Sequence, residues 1–130
     1  MSAPVVPVSW GELLDKISIL EIKVERIRDS EAQANVQREL AALRAVARDL
    51  LTPDSIDAIA AVCRDLKAVN EALWEIEDEI RICEKAGDFG PRFIELARAV
   101  YKTNDRRAAL KRTLNTLLAS EHVEEKSYAH

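Results

Sequence analysis

The chain has 130 residues, 48% of them hydrophobic and 32% charged, with only 3 Gly and 4 Pro. That length suits one domain over residues 1–130, and so few breakers exclude an all-β protein in favour of a helix-rich one. A net charge of −4 weighs against a nucleic-acid binder, and two cysteines are too few for a disulfide framework.

Residues 1–8 read as an extended, Pro-punctuated lead-in without the charged start and apolar run of a signal peptide. Ser9 then stands three residues before Glu12, a capping box that opens the first helix. Trp10 reads as a hydrophobic staple at its start. Leu13, Ile17, Leu20, Val24 and Ile27 step by four and three, a clean apolar stripe. Ile19 and Ile22 lie off that stripe, so the helix has a second buried face, turned to another helix or to a second subunit. Asp29-Ser30 marks a break, with Ser30 and Gln33 able to form another capping box; a single kinked helix is the alternative.

The second helix carries Val36, Leu40, Leu43, Ala47 and Leu50 inward, and Thr52-Pro53-Asp54 starts the third. That helix runs from about Pro53 to Ala86 with Ile59, Val62, Leu66, Leu73 and Ile80 on its stripe. Asn70, Glu77 and Glu84 share the same face at intervals of seven. Gly87 ends the helix and Gly90-Pro91 opens the fourth. Beyond about Ala119 the pattern fades into a charged tail, 120–130. Four helices with short loops predict an all-α fold, either a four-helix antiparallel bundle or paired helical hairpins.

The fourth helix carries the main functional clue. Its inward positions are Phe93, Leu96, Val100, Asn104, Arg107, Lys111, Leu114 and Leu118. At about 100° per residue these fall within a band roughly 80° wide. Asn, Arg and Lys in the middle of a core stripe need partners, because an unpaired buried charge is very costly. The short connection around Asp88 makes the third and fourth helices antiparallel neighbours. Asn70, Glu77, Asn104, Arg107 and Lys111 could then form one polar layer, flanked by Trp74 and Tyr101. One reading is a satisfied network that fixes helix register. The other is a pocket in which Arg107 and Lys111 hold an anionic or polyhydroxyl ligand, with Asn70 and Asn104 orienting it.

Charge is also unevenly spread. Glu71, Glu75, Glu77, Asp78, Glu79 and Glu84 form an acidic block, relieved by Arg81. Arg98, Lys102, Arg106, Arg107, Lys111 and Arg112 form a basic block, relieved by Asp105. Adjacent blocks of opposite sign predict that the two face and largely neutralise each other.

Other chemistry is thin. Glu21, Glu25, Glu75, Asp78 and Glu79 offer oxygens, but no Glu-x-x-His motif accompanies them, so no metal site is expected and the acids read as a solvated face. Cys63 and Cys83 have no nearby His, and one helix holds them about 30 Å apart. His122 and Tyr128 belong to the tail. No P-loop or dinucleotide fingerprint appears, so no cofactor is expected. No apolar stretch approaches the ~20 residues of a membrane span. These features, with unpaired thiols, predict a cytoplasmic protein.

Four segments carry a family resemblance: SWGELLDKISILEIKVERI, NEALWEIEDEIRICE, FIELARAVYKTNDRRAALKRTLN and EEKSY. Together, from Val8 to Tyr128, they resemble an uncharacterised family of short, all-helical bacterial proteins. Members of that family tend to accompany glycosyltransferases of lipopolysaccharide or other surface-glycan synthesis. The resemblance implies a bacterial protein linked to glycan assembly and no established activity. It draws attention to Asn70, Trp74, Glu77, Asp78, Arg81, Arg98, Tyr101, Asn104, Asp105, Arg107, Lys111, Asn115 and the tail from Glu124 to Tyr128.

The expected function is a non-catalytic helical binding or interaction protein, accessory to surface-glycan synthesis. Its ligand-binding residues would be Asn70, Trp74, Glu77, Arg81, Tyr101, Asn104, Arg107 and Lys111, and its partner a protein or an anionic or polyhydroxyl small molecule. The alternative is a small enzyme acting on a phosphorylated or nucleotide-linked sugar, with Glu77, Asp78 or Tyr128 as acid or base. A homodimer with an intersubunit seam is a third reading, and it requires Ile19 and Ile22 to be covered by the second copy.

Overall fold

The computed structural model describes residues 2–48 and 56–118, and these are all-α. The helices are α1 (Trp10–Arg26), α2 (Ser30–Ala47), α3 (Ile56–Ala86) and α4 (Pro91–Leu117). The expected start at Thr52-Pro53-Asp54, the inward Leu50 and the tail with His122 and Tyr128 lie outside the described residues.

Local chemistry explains each boundary. Ser9 caps α1, its hydroxyl accepting from the Glu12 amide at 3.1 Å. The next boundary differs in detail from the Ser30–Gln33 box expected above. Asp29 is the cap of α2, accepting from the Ala32 amide at 2.9 Å. Gln33 turns back instead and donates to the Val24 and Ile27 carbonyls at 2.6 and 2.8 Å, closing the last turn of α1. So the chain breaks here rather than kinking.

At the far end of α3, Gly87 adopts φ 67°. The Gly87 amide donates to Glu84 O and the Asp88 amide to Cys83 O, the paired bonds of a Schellman stop. A β-carbon would strain that left-handed turn. Pro91 in the first turn of α4, behind Gly90, starts the return.

The packing is that of paired hairpins joined through α1. Among the described residues α2 touches only α1, while α1 also meets both α3 and α4, which lie along each other. Leu13, Ile17 and Leu20 of α1 pack on Leu40 of α2, with Trp10, Val24, Val36, Leu43 and Ala47 around them. A second cluster joins Ile59 and Leu66 of α3 to Leu114 of α4, and Leu14 of α1 reaches into it. Leu66 and Leu114 are wholly buried, each contributing about 1.5–3 kcal/mol by leaving water.

The second face of α1 is real, and α3 is among the elements that cover it. Asp15, Ser18, Ile22 and Arg26 recur along one stripe, and the polar three all bond to α3. Ile22 is 1% exposed within a single chain, so its burial requires no second copy. No described helix is long and apolar enough to cross a membrane.

Candidate functional site

The polar layer of α4 has its partners on α1, not on the Glu77 face of α3. Its centre is Asp15, a carboxylate with no exposed surface. Arg107 grips it with two donors: Nε meets Oδ1 at 2.9 Å and Nη2 meets Oδ2. This fork-to-carboxylate geometry is the strong, orienting form of an ion pair. Asn70 adds a third donor from α3, with Nδ2 at 2.9 Å from Asp15 Oδ1 and 2.7 Å from Ser18 Oγ. The Ser18 hydroxyl in turn donates a hydrogen bond to the Asp15 backbone carbonyl at 2.7 Å.

The contact continues along α4 in steps of one turn. Lys111, 6% exposed, places Nζ 2.7 Å from Glu12 Oε2. Asn115 accepts the Gly11 amide at 2.7 Å through its side-chain oxygen. Gly11 is required by this approach: a β-carbon there would lie 2.4 Å from the Lys111 carbonyl oxygen and 2.9 Å from Asn115 Oδ1. Positions 107, 111 and 115 therefore meet 15, 12 and 11, and α1 runs antiparallel to α4 with its rotation and register both fixed. Among the described residues every buried side-chain nitrogen and oxygen has a partner.

The remaining expected site residues are spread around the molecule. Glu77 is exposed and pairs along its own helix with Arg81 at 3.7 Å, so it is no member of the buried layer. The interval of seven from Asn70 predicts an inward Glu77, but here the half-buried positions are Ile76 and Ile80 and the Glu77 carboxylate is left in water. Asp78 is exposed too, 3.6 Å from Arg81. Tyr101 is 54% exposed. Trp74 is half-buried beneath the Arg26 guanidinium, 5.8 Å from the ring centroid, a cation–π contact that Glu75 buttresses at 3.2 Å. Asn104 is half-buried on α4.

The opposed charge blocks do not neutralise each other. Glu71 and Glu75 turn to Arg26 of α1, and Glu79 takes Arg92 at 2.6 Å. Arg107 and Lys111 turn to α1 as described. Arg98, Lys102 and Arg106 lie exposed on the opposite side of α4, with no ion pair among the described residues. They border two open troughs: one of about 250 Å³ between Ala68, Val69 and Ala72 of α3 and Lys102, Thr103 and Arg106 of α4, and one of about 460 Å³ along Pro91, Ile94 and Ala99.

Sequence reasoning missed Asp15, Glu12 and Ser18. The signal was available: Asp15 and Ser18 share a stripe with Ile22, and a cation-bearing core helix needs a carboxylate from somewhere. The layer ties three helices together: the Asp15 carboxylate of α1 accepts two donors from Arg107 of α4 and one from Asn70 of α3. Among the described residues no three His, Cys, Asp or Glu are placed to hold a metal. Cys63 is half-buried, and burial, with Glu21 nearby adding to it, pushes its thiol above the ordinary range.

Compared with known families, residues 5–130 match the model of a family of unknown function, DUF6165. No curated protein and no solved structure matches the chain.

Proposed function

Because the chain belongs to the DUF6165 family, whose function is unknown, no activity is inherited, and we propose that it is a non-catalytic helical interaction protein. In this reading the polar layer is structural and the outward face of the α3–α4 hairpin does the binding. One observation carries it: the buried carboxylate of Asp15 is filled by Arg107 and Asn70, leaving the layer as a register lock rather than a receptor. A role beside surface-glycan enzymes in a bacterial cell rests on the family resemblance alone.

A thermal-melt screen against nucleotide sugars, sugar phosphates, simple anions and divalent metals tests the assignment of the layer. A ligand at a hundredfold its Kd would add about 2.7 kcal/mol to stability, a readily visible shift. The expected result is no shift that depends on Lys111. A shift present in the parent and lost in Lys111→Met would make the layer a binding site and overturn the reading.

A further inference from the structure

On one side of the α3–α4 pair the groove is filled by α1. On the other side it is open among the described residues. There Ala68 and Ala72 of α3 face Thr103 of α4 across a trough of about 250 Å³, and small residues along such a groove let a third helix approach closely. A second hollow, lined among the described residues by α4 alone, shares Lys102 with it and runs past Ala99 and the 56%-exposed Ile94. Along the two run Arg98, Lys102 and Arg106, at i, i+4 and i+8, about 6 Å apart along the axis. Glu95, which lines the second hollow, is bonded to Arg92 at 3.1 Å, and among the described residues none of the three cations has an ion pair.

We propose that this open groove docks an acidic amphipathic helix of a partner protein. The inference rests on the interaction reading above and names the partner's chemistry. An apolar edge of the incoming helix would lie over the alanines, and carboxylates repeating every fourth residue would meet Arg98, Lys102 and Arg106 one turn at a time. The stretch from Pro91 to Arg106 spans about 23 Å, enough for four turns of helix. The shape distinguishes this partner from an anionic bilayer. A membrane surface is met by cations on a convex ridge, whereas here Lys102 and Arg106 border a concave trough between α3 and α4.

The test uses the full chain and a small set of fluorescein-labelled helical peptides of about 16 residues, some four turns long, with Glu at i, i+4 and i+8 beside an Ala/Leu edge in differing registers. Fluorescence anisotropy should detect saturable binding by at least one peptide. That binding should weaken at least tenfold in Arg98→Gln/Lys102→Gln/Arg106→Gln, and at least tenfold in Ala72→Trp, which fills the trough. A Glu77→Gln control should bind like the parent. Circular dichroism melts of each variant check that the fold is intact, since all five positions lie outside the buried lock.

No binding by any peptide, or binding indifferent to the triple variant, overturns the proposal. Binding of the parent to vesicles containing phosphatidylglycerol, lost in the triple variant, with no peptide bound, also overturns it and makes the partner a membrane. That last result leaves the interaction reading standing. A ligand shift that depends on Lys111 would instead remove that reading while saying nothing against the groove.

Discussion

Removing Arg107 should be among the most damaging single changes to this protein, and the geometry says why. Asp15 has no exposed surface and holds two donors from Arg107 and one from Asn70. In Arg107→Met the methylene packing is largely kept, but the carboxylate stays buried with the charge-neutral Asn70 as its remaining donor among these. Breaking a buried pair by removing one member costs about 3–5 kcal/mol. The guanidinium end is 27% exposed, so water reaches it more easily than the carboxylate. The cost should therefore be asymmetric: about 4 kcal/mol for Arg107→Met and about 3 kcal/mol for Asp15→Leu. The double variant leaves no buried carboxylate and should cost no more than about 4 kcal/mol, which implies a coupling of about 3 kcal/mol between the two positions. Urea denaturation followed by circular dichroism, at constant slope, measures all four corners of the cycle. Additive losses, or an Arg107→Met variant within about 1 kcal/mol of the parent, would refute the lock.

Three further outcomes follow from the same packing. Glu77→Ala should change stability by less than about 0.5 kcal/mol, because its pair with Arg81 is exposed; a larger loss in urea titration would mean the carboxylate has a buried partner. Gly11→Ala should destabilise by at least about 2 kcal/mol despite alanine's advantage of roughly 1 kcal/mol in a helix, because its β-carbon meets the α4 backbone at 2.4 Å; a neutral melt would contradict that approach. Burial raises the Cys63 thiol in the folded state, so the folded chain holds that proton more tightly than the unfolded one. Its contribution is whole below the ordinary thiol range and is lost as pH rises through and above it. The parent should thus lose stability relative to Cys63→Ser over that alkaline window, and parallel curves would count against the burial.

Periodicity alone located the helices, because apolar stripes and caps are local properties. Asp29 rather than Ser30 caps α2 because both residues can serve and one position in backbone geometry decides between them. The inward stripe of α4 was legible for Asn104, Arg107 and Lys111, all at least half-buried, whereas the buried Asn115 lay off the stripe that spacing predicts. The partners were not. Sequence proximity favoured Glu77 across the short loop, whereas the buried carboxylate arrives from Asp15, 92 positions away. A periodic pattern reports which face is turned inward and carries no information about which helix comes to meet it. Gly11 was equally silent, since a glycine in a first turn has a meaning only when the backbone of α4 is laid against it.

The attachment of α2 to α1 alone sets a hierarchy of opening. Because α2 has no other neighbour among the described helices, swinging away breaks the Leu13–Ile17–Leu20 packing, the Gln33 bonds to the end of α1 and the Arg44–Glu21 pair, and leaves the Asp15 lock untouched. Its amides should exchange with solvent well before those of α1, α3 and α4, whose release requires undoing a buried ion pair. In that opened form the greasy flank of α1 is bare, and two copies could trade their α2 helices across it. Among the described helices, then, three are joined by buried polar bonds and the fourth hangs on α1 alone.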